Sequence, residues 1–149
     1  MKEVYKLIKI ICDDLKIGKV KVVVNNKLLT ATTLAEYVPS NNTLNIRKDY
    51  KSEYDLYFSI AHELRHKYQI DNELFNYDTY QTREVLDVKE YNLQFEEVDA
   101  NAYASIILIT GFGVKPLFQG LEEEVKKAIQ KRMDEILEEY RYFAMLKSL

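Results

Sequence analysis

Residues 53–70 read EYDLYFSIAHELRHKYQI, and this stretch predicts the helix around which the fold is built. It contains neither proline nor glycine, and its apolar residues recur every three or four positions, the period of an amphipathic helix. The apolar stripe consists of Leu56, Ile60, Ala61, Leu64 and Tyr68. His62 and His66 are four residues apart and border this stripe, so we expect their imidazoles one turn apart at a half-buried position.

These two residues are the only histidines in the chain, and they belong to the pattern His62-Glu63-Leu64-Arg65-His66. Two imidazoles one helical turn apart can bind one Zn²⁺. The carboxylate of Glu63 can then serve as general base toward a zinc-bound water. The pattern therefore predicts a zinc-dependent peptidase, while two solvated histidines on a surface helix would produce the same letters.

A catalytic zinc ion usually takes three protein ligands, so the histidine pair needs a third. The single cysteine, Cys12, lies far upstream, which leaves a carboxylate as the expected third ligand. Candidates occur in a second predicted helix that opens at Phe95 and runs through Ile109. The small residues Ala100 and Ala104 allow this helix to approach a neighbouring helix closely, as a ligand on it requires.

Three carboxylates of this helix are open as the third ligand: Glu96, Glu97 and Asp99. We favour Glu97, because Asn101 lies four residues later on the same face and can hydrogen-bond a ligand histidine there. Asp99 is the second candidate, and it lies about 200° around the helix from Glu97, so the two cannot bind one metal ion together. The helix macrodipole also favours acidic residues in a first turn, which would explain Glu96 without a metal.

The two motifs together carry a resemblance to a known family. HELRH at 62–66, followed about thirty residues later by EVDANAYA at 97–104, resembles the ImmA/IrrE group of HExxH, gluzincin-type zinc metallopeptidases. The second motif also resembles the E-x-x-A-D signature of CAAX endopeptidases and HtpX-like membrane proteases, which places the ligand at the first glutamate, here Glu97. The resemblance spans roughly residues 40–110.

This resemblance implies a small zincin-like metallopeptidase domain with Zn²⁺ as its cofactor. It implies that His62, His66 and Glu97 bind the metal, that Glu63 is catalytic and that Asn101 supports a ligand. Known members are bacterial and phage proteins, several of which cleave or regulate a DNA-binding repressor of mobile-element or stress genes. The implied substrate is therefore a protein, such as a transcriptional repressor or another regulatory protein.

Composition is consistent with a small cytoplasmic enzyme. With 149 residues, the chain predicts a single domain, 1–149, that can bury a sizeable core. A net charge of −3 and the lack of a basic tract argue against direct binding of nucleic acid. The one cysteine suits a reducing compartment, and we expect neither a signal peptide at Met1–Leu15 nor a membrane-spanning run. The expected partner is a protein or peptide substrate, and the oligomeric state stays open.

The order of predicted elements is α-β-β-β-α-α-α, which indicates an α+β fold with a three-stranded sheet packed against helices. Predicted helices cover 2–15, 53–70, 95–109 and 121–146, and predicted strands cover 19–24, 28–38 and 43–47. The buried face of the last helix is expected to include Leu137 and Tyr140. The second motif helix is expected to break at Gly111-Phe112-Gly113.

Two further segments bear on the mechanism. The strand just before the histidine helix, 43–47, is expected to offer a sheet edge that pairs with extended substrate. The long connection 71–90 has no strong period and is expected to form a wall of the cleft. Within it, Tyr77 or Tyr80 can help to stabilise an oxyanion.

Three other functions are consistent with the same residues. The chain can be a non-catalytic zinc-binding module that acts by binding a protein, although such a module has no need of Glu63. It can be a phage or plasmid protein directed at a host factor. If the histidines are merely solvated, it is a plain α+β interaction domain.

Overall fold

A computed structural model of the chain describes residues 1–30 and 32–148. Within these ranges a short mixed sheet packs against helices, which confirms the α+β class. The helices are α1 (Lys2–Leu15), α2 (Glu53–Asp71), α3 (Val88–Leu93), α4 (Phe95–Phe112) and α5 (Glu123–Lys147), and the strands are β1 (Lys21–Val24), β2 (Ala35–Val38) and β3 (Thr43–Ile46).

The sheet has the order β1-β3-β2, so the last strand in sequence lies in the middle. β3 runs parallel to β1 and antiparallel to β2, and all four of its residues are buried. A 3-10 turn at Pro39–Asn41 joins β2 to β3 and ends at Asn42, whose φ of 49° is left-handed. Asparagine tolerates this conformation better than most residues, which suits the tight return of the chain.

α2 is the central element of the fold. It packs against the strands β2 and β3 and against the helices α1 and α4. Its apolar stripe is buried completely at Leu56, Ile60 and Leu64, as its period predicts. The innermost residues of the other elements are Ile11, Leu44, Ile46, Tyr103, Val125, Ile129 and Ile136.

α4 and α5 complete the helical layer. Ala100, Ala102 and Ala104 are fully buried, and these small side chains let α4 lie close to both α2 and α5. The buried stripe of α5 is narrow, with members at Val125, Ile129, Met133 and Ile136. The prediction that Leu137 and Tyr140 belong to this stripe is wrong, since they are 44% and 39% exposed. Leu137 lies outside the buried stripe, on the solvent-exposed side of the helix. The Tyr140 hydroxyl donates to Asp14 Oδ2 at the surface.

The predicted strand 28–38 is mostly wrong, because only its last four residues form β2. Before them the chain forms turns in place of strand pairing, and the Thr33 N–H donates to the Thr30 carbonyl at 3.2 Å. Asn25 Oδ1 accepts from the Lys27 amide, and the Thr30 and Thr33 hydroxyls lie 2.6 Å apart across a turn. Ala31 lies outside the described residues.

Other boundaries differ less. β1 begins at Lys21, two residues later than predicted, and β3 ends one residue early, at Ile46. Helix α3 was not predicted; it begins near the end of the predicted 71–90 connection and continues three residues past it, to Leu93. Asp87 Oδ1 caps its start by accepting from the Glu90 amide at 2.8 Å.

Gly111 does not break α4, which continues to Phe112. Stacking of the Phe112 ring on Tyr57, with ring centroids 4.9 Å apart, holds this last turn. The helix ends at Gly113, within the break predicted at 111–113, and glycine adopts the φ of 66° found there more readily than other residues do.

Among the helices of the described ranges, none combines the length and the apolar character that a membrane-spanning segment needs.

Candidate metal centre

The two histidines of α2 face α4 from neighbouring turns of the helix. Their Nε2 atoms lie 3.0 Å apart, and their side chains are 15% and 13% exposed. Neither histidine is fully buried, so a small ligand can reach the space beside them from solvent. This is the half-buried position that the border of the apolar stripe predicts.

The carboxylate of Glu97, on α4, contacts both histidines, and the three residues form the cluster described below. Its Oε1 lies 3.2 Å from His62 Nε2 and its Oε2 lies 3.0 Å from His66 Nε2. Ligand atoms bound tetrahedrally to Zn²⁺ at about 2.0–2.1 Å lie about 3.3 Å from one another. The two imidazoles and the carboxylate therefore fit a shared zinc ion with little movement of their side chains.

Charge and burial act in opposite directions on these groups. Burial disfavours the charged form of His66, but hydrogen bonding to Glu97 and the charges of Glu97 and Glu63 outweigh it and raise its pKa to about 9. Burial likewise would raise the pKa of Glu97, but hydrogen bonds from His62 and His66 hold that pKa well below its usual range. The cluster therefore stabilises a positive charge between its ring nitrogens and its carboxylate.

The other ring nitrogen of each histidine meets an amide side chain. His62 Nδ1 lies 2.8 Å from Asn101 Oδ1, and His66 Nδ1 lies 2.9 Å from Gln69 Oε1. Donation from Nδ1–H to these oxygens leaves Nε2 as the ring nitrogen that can bind a metal once it gives up its own proton. Asn101 was predicted in this role. Gln69 was missed, although its spacing of three residues from His66 on one helix is a readable signal.

Glu63 lies beside the cluster and contacts the sheet. Its Oε2 accepts a hydrogen bond of 2.9 Å from the backbone N–H of Tyr37 in β2. Ligand atoms of His62, Glu63 and His66 all lie within 4.8 Å of one another, so Glu63 is near enough to be considered as a ligand. Glu97 is better placed than Glu63 for the third ligand position, because Glu97 contacts both Nε2 atoms while Glu63 is bonded to β2.

Asp99 and Glu96, the other two candidates, are engaged elsewhere. Asp99 accepts four hydrogen bonds of 2.8–3.0 Å, two from Arg65, one from Gln69 and one from Arg132, which occupy both of its oxygens. Glu96 Oε1 receives the Asn76 amide at 3.4 Å. Among the described residues the ion-pair contacts of both histidines go to Glu97, and to neither of these carboxylates.

Aromatic residues of the connection after α2 cover one side of the cluster. The Phe75 ring lies 6.0 Å from that of His66 and 4.7 Å from that of Tyr80. The Tyr80 hydroxyl lies 3.0 Å from both Glu97 Oε2 and the Tyr91 hydroxyl. Burial and the charge of Glu97 raise the pKa of Tyr91 to about 12 and that of Tyr80 further, so both phenols remain donors at neutral pH.

Of the two tyrosines considered for an oxyanion, only Tyr80 lies at the cluster. Tyr77 is 66% exposed, although its ring packs on Phe75. Stabilisation of an oxyanion by Tyr80 stays a prediction.

The sheet edge beside the cluster is formed by a different strand from the one predicted. The expectation that 43–47 offers this edge is wrong, because β3 is central and pairs on both sides. β2 is the edge strand that packs on α2, and its Tyr37 amide points away from β3 to Glu63. An extended segment pairing with this sheet next to Glu63 would therefore pair with β2.

Comparisons with family models, with curated proteins and with solved structures found no match for this chain.

Proposed function

We propose that this chain is a zinc-dependent peptidase in which His62, His66 and Glu97 bind the metal and Glu63 is the general base. The observation that carries the proposal is the contact of the Glu97 carboxylate with both histidine Nε2 atoms, at 3.0 and 3.2 Å, beside a second carboxylate, Glu63, on the helix of the histidines. A site that only stabilised the fold would have no need of the second carboxylate.

The donor set favours zinc among the common divalent ions. Two imidazoles and one carboxylate are a typical set for catalytic zinc, with a fourth position left open. When bound, zinc would polarise a peptide carbonyl and lower the pKa of a coordinated water toward about 7. The amides of Asn101 and Gln69 support this choice, because each accepts from Nδ1 of one histidine and keeps its Nε2 free to bind.

Glu63 would move the proton. Its Oε2 accepts from the Tyr37 amide, and among the described residues its other carboxylate oxygen has no hydrogen-bond partner, so that oxygen can take a proton from the attacking water. The same carboxyl group then delivers that proton to the leaving amine nitrogen as the peptide bond breaks. The hydrogen bond from β2 keeps Glu63 oriented beside the histidines during both transfers.

We propose a protein segment in extended conformation as the substrate. β2 is an edge strand of the described sheet, where an extended segment can add by strand pairing, and Glu63 lies at this edge, bonded to the Tyr37 amide. The aromatic wall formed by Phe75 and Tyr80 lies across the cluster. The resemblance of both motifs to the ImmA/IrrE group supports a DNA-binding repressor, or a similar regulatory protein, as the natural target.

The test is Glu63→Gln, an isosteric change that removes the base and keeps the side-chain shape. We expect this variant to bind one zinc per chain and to lose at least about 100-fold of its cleavage rate. Cleavage is measured by mass spectrometry on a combinatorial library of synthetic peptides. Glu53→Gln, at the exposed first turn of the same helix, is the matched control and should cleave like the wild type. Equal cleavage by Glu63→Gln and the wild type would contradict the proposal.

One observation favours a second candidate, a non-catalytic zinc-binding module that binds a protein partner. The hydrogen bond between Glu63 and the Tyr37 amide is a structural contact, and it can explain Glu63 without catalysis. The same experiment separates the two functions. A module would bind zinc and leave every peptide intact in the wild type and in Glu63→Gln alike.

A further inference from the structure

Gln69 is a polar side chain with no exposed surface, and both its amide nitrogen and its amide oxygen have hydrogen-bond partners. Its Nε2 donates to the backbone carbonyl of Glu96 at 2.9 Å and to Asp99 Oδ2 at 2.8 Å. Both partners only accept, so they determine which end of the amide is the nitrogen. The remaining atom, Oε1, must face His66 Nδ1, which lies 2.9 Å away.

This orientation decides where the proton of His66 lies. An amide oxygen can only accept, so Nδ1 carries a hydrogen, and Nε2 is the nitrogen left for a metal. If the amide were flipped, its oxygen would face the Glu96 carbonyl and the Asp99 carboxylate. These three buried oxygens would then meet with no hydrogen atom between them, which is unfavourable. The contacts on the far side of Gln69 therefore hold the metal-binding form of His66.

Asp99 is the strongest of these contacts, and it is held in turn by two arginines. Arg65 of α2 binds it through two nitrogens at 2.8 and 3.0 Å, and Arg132 of α5 binds it through Nε at 2.8 Å. Asp99 is 1% exposed. A continuous series of hydrogen bonds therefore leads from Arg132 through Asp99 and Gln69 to His66, across three helices.

We infer that Gln69 is a positioning residue for the metal site and that Arg132, on α5, acts on the site through Asp99 and Gln69. The inference rests on the metal site of the proposed function, and it does not depend on whether that site cleaves peptides. It assigns to α5, which contributes no ligand, an influence on how tightly the metal is held.

The first test is the Zn²⁺ affinity of Gln69→Leu and Arg132→Met, measured by competition with a fluorescent chelator. Loss of the partner of a ligand histidine typically costs 10- to 100-fold in metal affinity, and we expect that loss in Gln69→Leu. Arg132→Met should lose about 2- to 30-fold, the range for coupling through a network. In the double variant the Arg132 change should add nothing, because its path to His66 is already cut.

Two matched controls lie on the exposed surface of α5. Gln130→Leu and Arg141→Met remove the same groups from positions that bond, among the described residues, to Asp134 and Glu138, and both should keep wild-type affinity. Each variant is measured below its unfolding transition, recorded by circular dichroism, so that lost stability is not counted as lost affinity.

The second test reads the ring itself. Because the chain has two histidines, ¹⁵N spectra of histidine-labelled, zinc-loaded protein contain signals from His62 and His66 alone. In Gln69→Leu we expect the Nδ1–H of His66 to exchange faster with water, while that of His62, which Asn101 holds, stays unchanged. A merely structural role for Gln69 would alter both rings or neither.

The outcomes separate the two proposals. If the wild type binds zinc and Gln69→Leu binds it no more weakly than Gln130→Leu, the inference about Gln69 is overturned and the metal site stands. If zinc is bound and the predicted losses occur but no peptide is cleaved, the inference holds and the peptidase proposal fails. If the wild type binds no zinc, both are overturned.

Discussion

Replacing Glu97 by alanine is expected to remove most of the affinity of this chain for Zn²⁺. The carboxylate is one of three ligands and contacts both histidines, at 3.2 and 3.0 Å. Its loss should therefore cost more than the 10- to 100-fold that removal of a ligand's own partner costs. The variant also removes the negative charge beside the two imidazoles, which weakens the attraction of the site for a cation.

Affinity is measured by chelator competition, and the neighbouring Glu96→Ala is the matched control. Glu96 is buried like Glu97, but its carboxylate contacts the Asn76 amide and neither histidine. The control should keep affinity close to that of the wild type. Weak binding by Glu96→Ala together with normal binding by Glu97→Ala would show that the third ligand has been assigned to the wrong residue.

Replacing Asp99 by alanine is expected to produce the largest loss of stability among single changes in the site region. The change leaves Arg65, whose side chain is 5% exposed, and the partly buried Arg132 without their shared counter-charge. Breaking a buried ion pair from one side typically costs about 3–5 kcal/mol. For a domain of this size, at about 2–4 °C per kcal/mol, the thermal midpoint should fall by roughly 10 °C.

The effect should depend on pH in a definite direction. Burial alone would raise the pKa of Asp99, but hydrogen bonds and charge from Arg65, with Gln69 and Arg132, lower it below its ordinary value. A carboxyl group whose pKa is lower in the folded state stabilises the fold above its unfolded pKa of about 3.9 and loses this contribution as the pH falls. The difference between wild type and variant should therefore be complete at neutral pH and shrink in acid.

Urea unfolding of the metal-free proteins, at neutral pH and at about pH 3, measures both predictions. Asp134→Ala, on the exposed surface of α5, is the matched control and should change stability by no more than about 0.5 kcal/mol. If Asp99→Ala changes the free energy of unfolding by no more than this control does, the prediction is wrong. Arg65 and Arg132 would then find other partners, or solvent, at little cost in free energy.

The part of the site that could be predicted lies on helices. The period of 53–70 predicts which face of α2 is buried, and the spacing of His62 and His66 then follows from helical geometry. On α4, the shared face of Glu97 and Asn101 was readable from their spacing, and both side chains lie at the histidines. The small residues Ala100 and Ala104 indicated that this helix approaches another closely, as α4 does to α2.

The sheet was harder to predict, because strand order depends on contacts between distant parts of the chain. Valine content indicated β1, but nothing local in Thr43–Ile46 distinguishes a central strand from an edge strand. The threonines before β2 suit a strand by propensity, yet two of them bond each other across a turn. The edge next to Glu63 was therefore assigned to the wrong strand.

Two residues of the site region had roles that the sequence pattern did not indicate. Asp99 was considered a possible ligand, and its actual role, as the shared acceptor of Arg65 and Arg132, needs α5 to fold against α4. Tyr80 reaches Glu97 from a connection without regular period, which only the folded chain brings near. Both roles arise from tertiary contacts rather than from local spacing.

The zinc content of the purified wild-type protein and of His62→Ala, measured by elemental analysis, tests the proposed metal centre most directly. We predict one zinc per chain in the wild type and its loss in His62→Ala, since one imidazole and one carboxylate do not complete a zinc site. A wild type that contains no zinc, even after incubation with Zn²⁺, would contradict the metal centre and the peptidase with it. So would a His62→Ala variant that keeps its zinc.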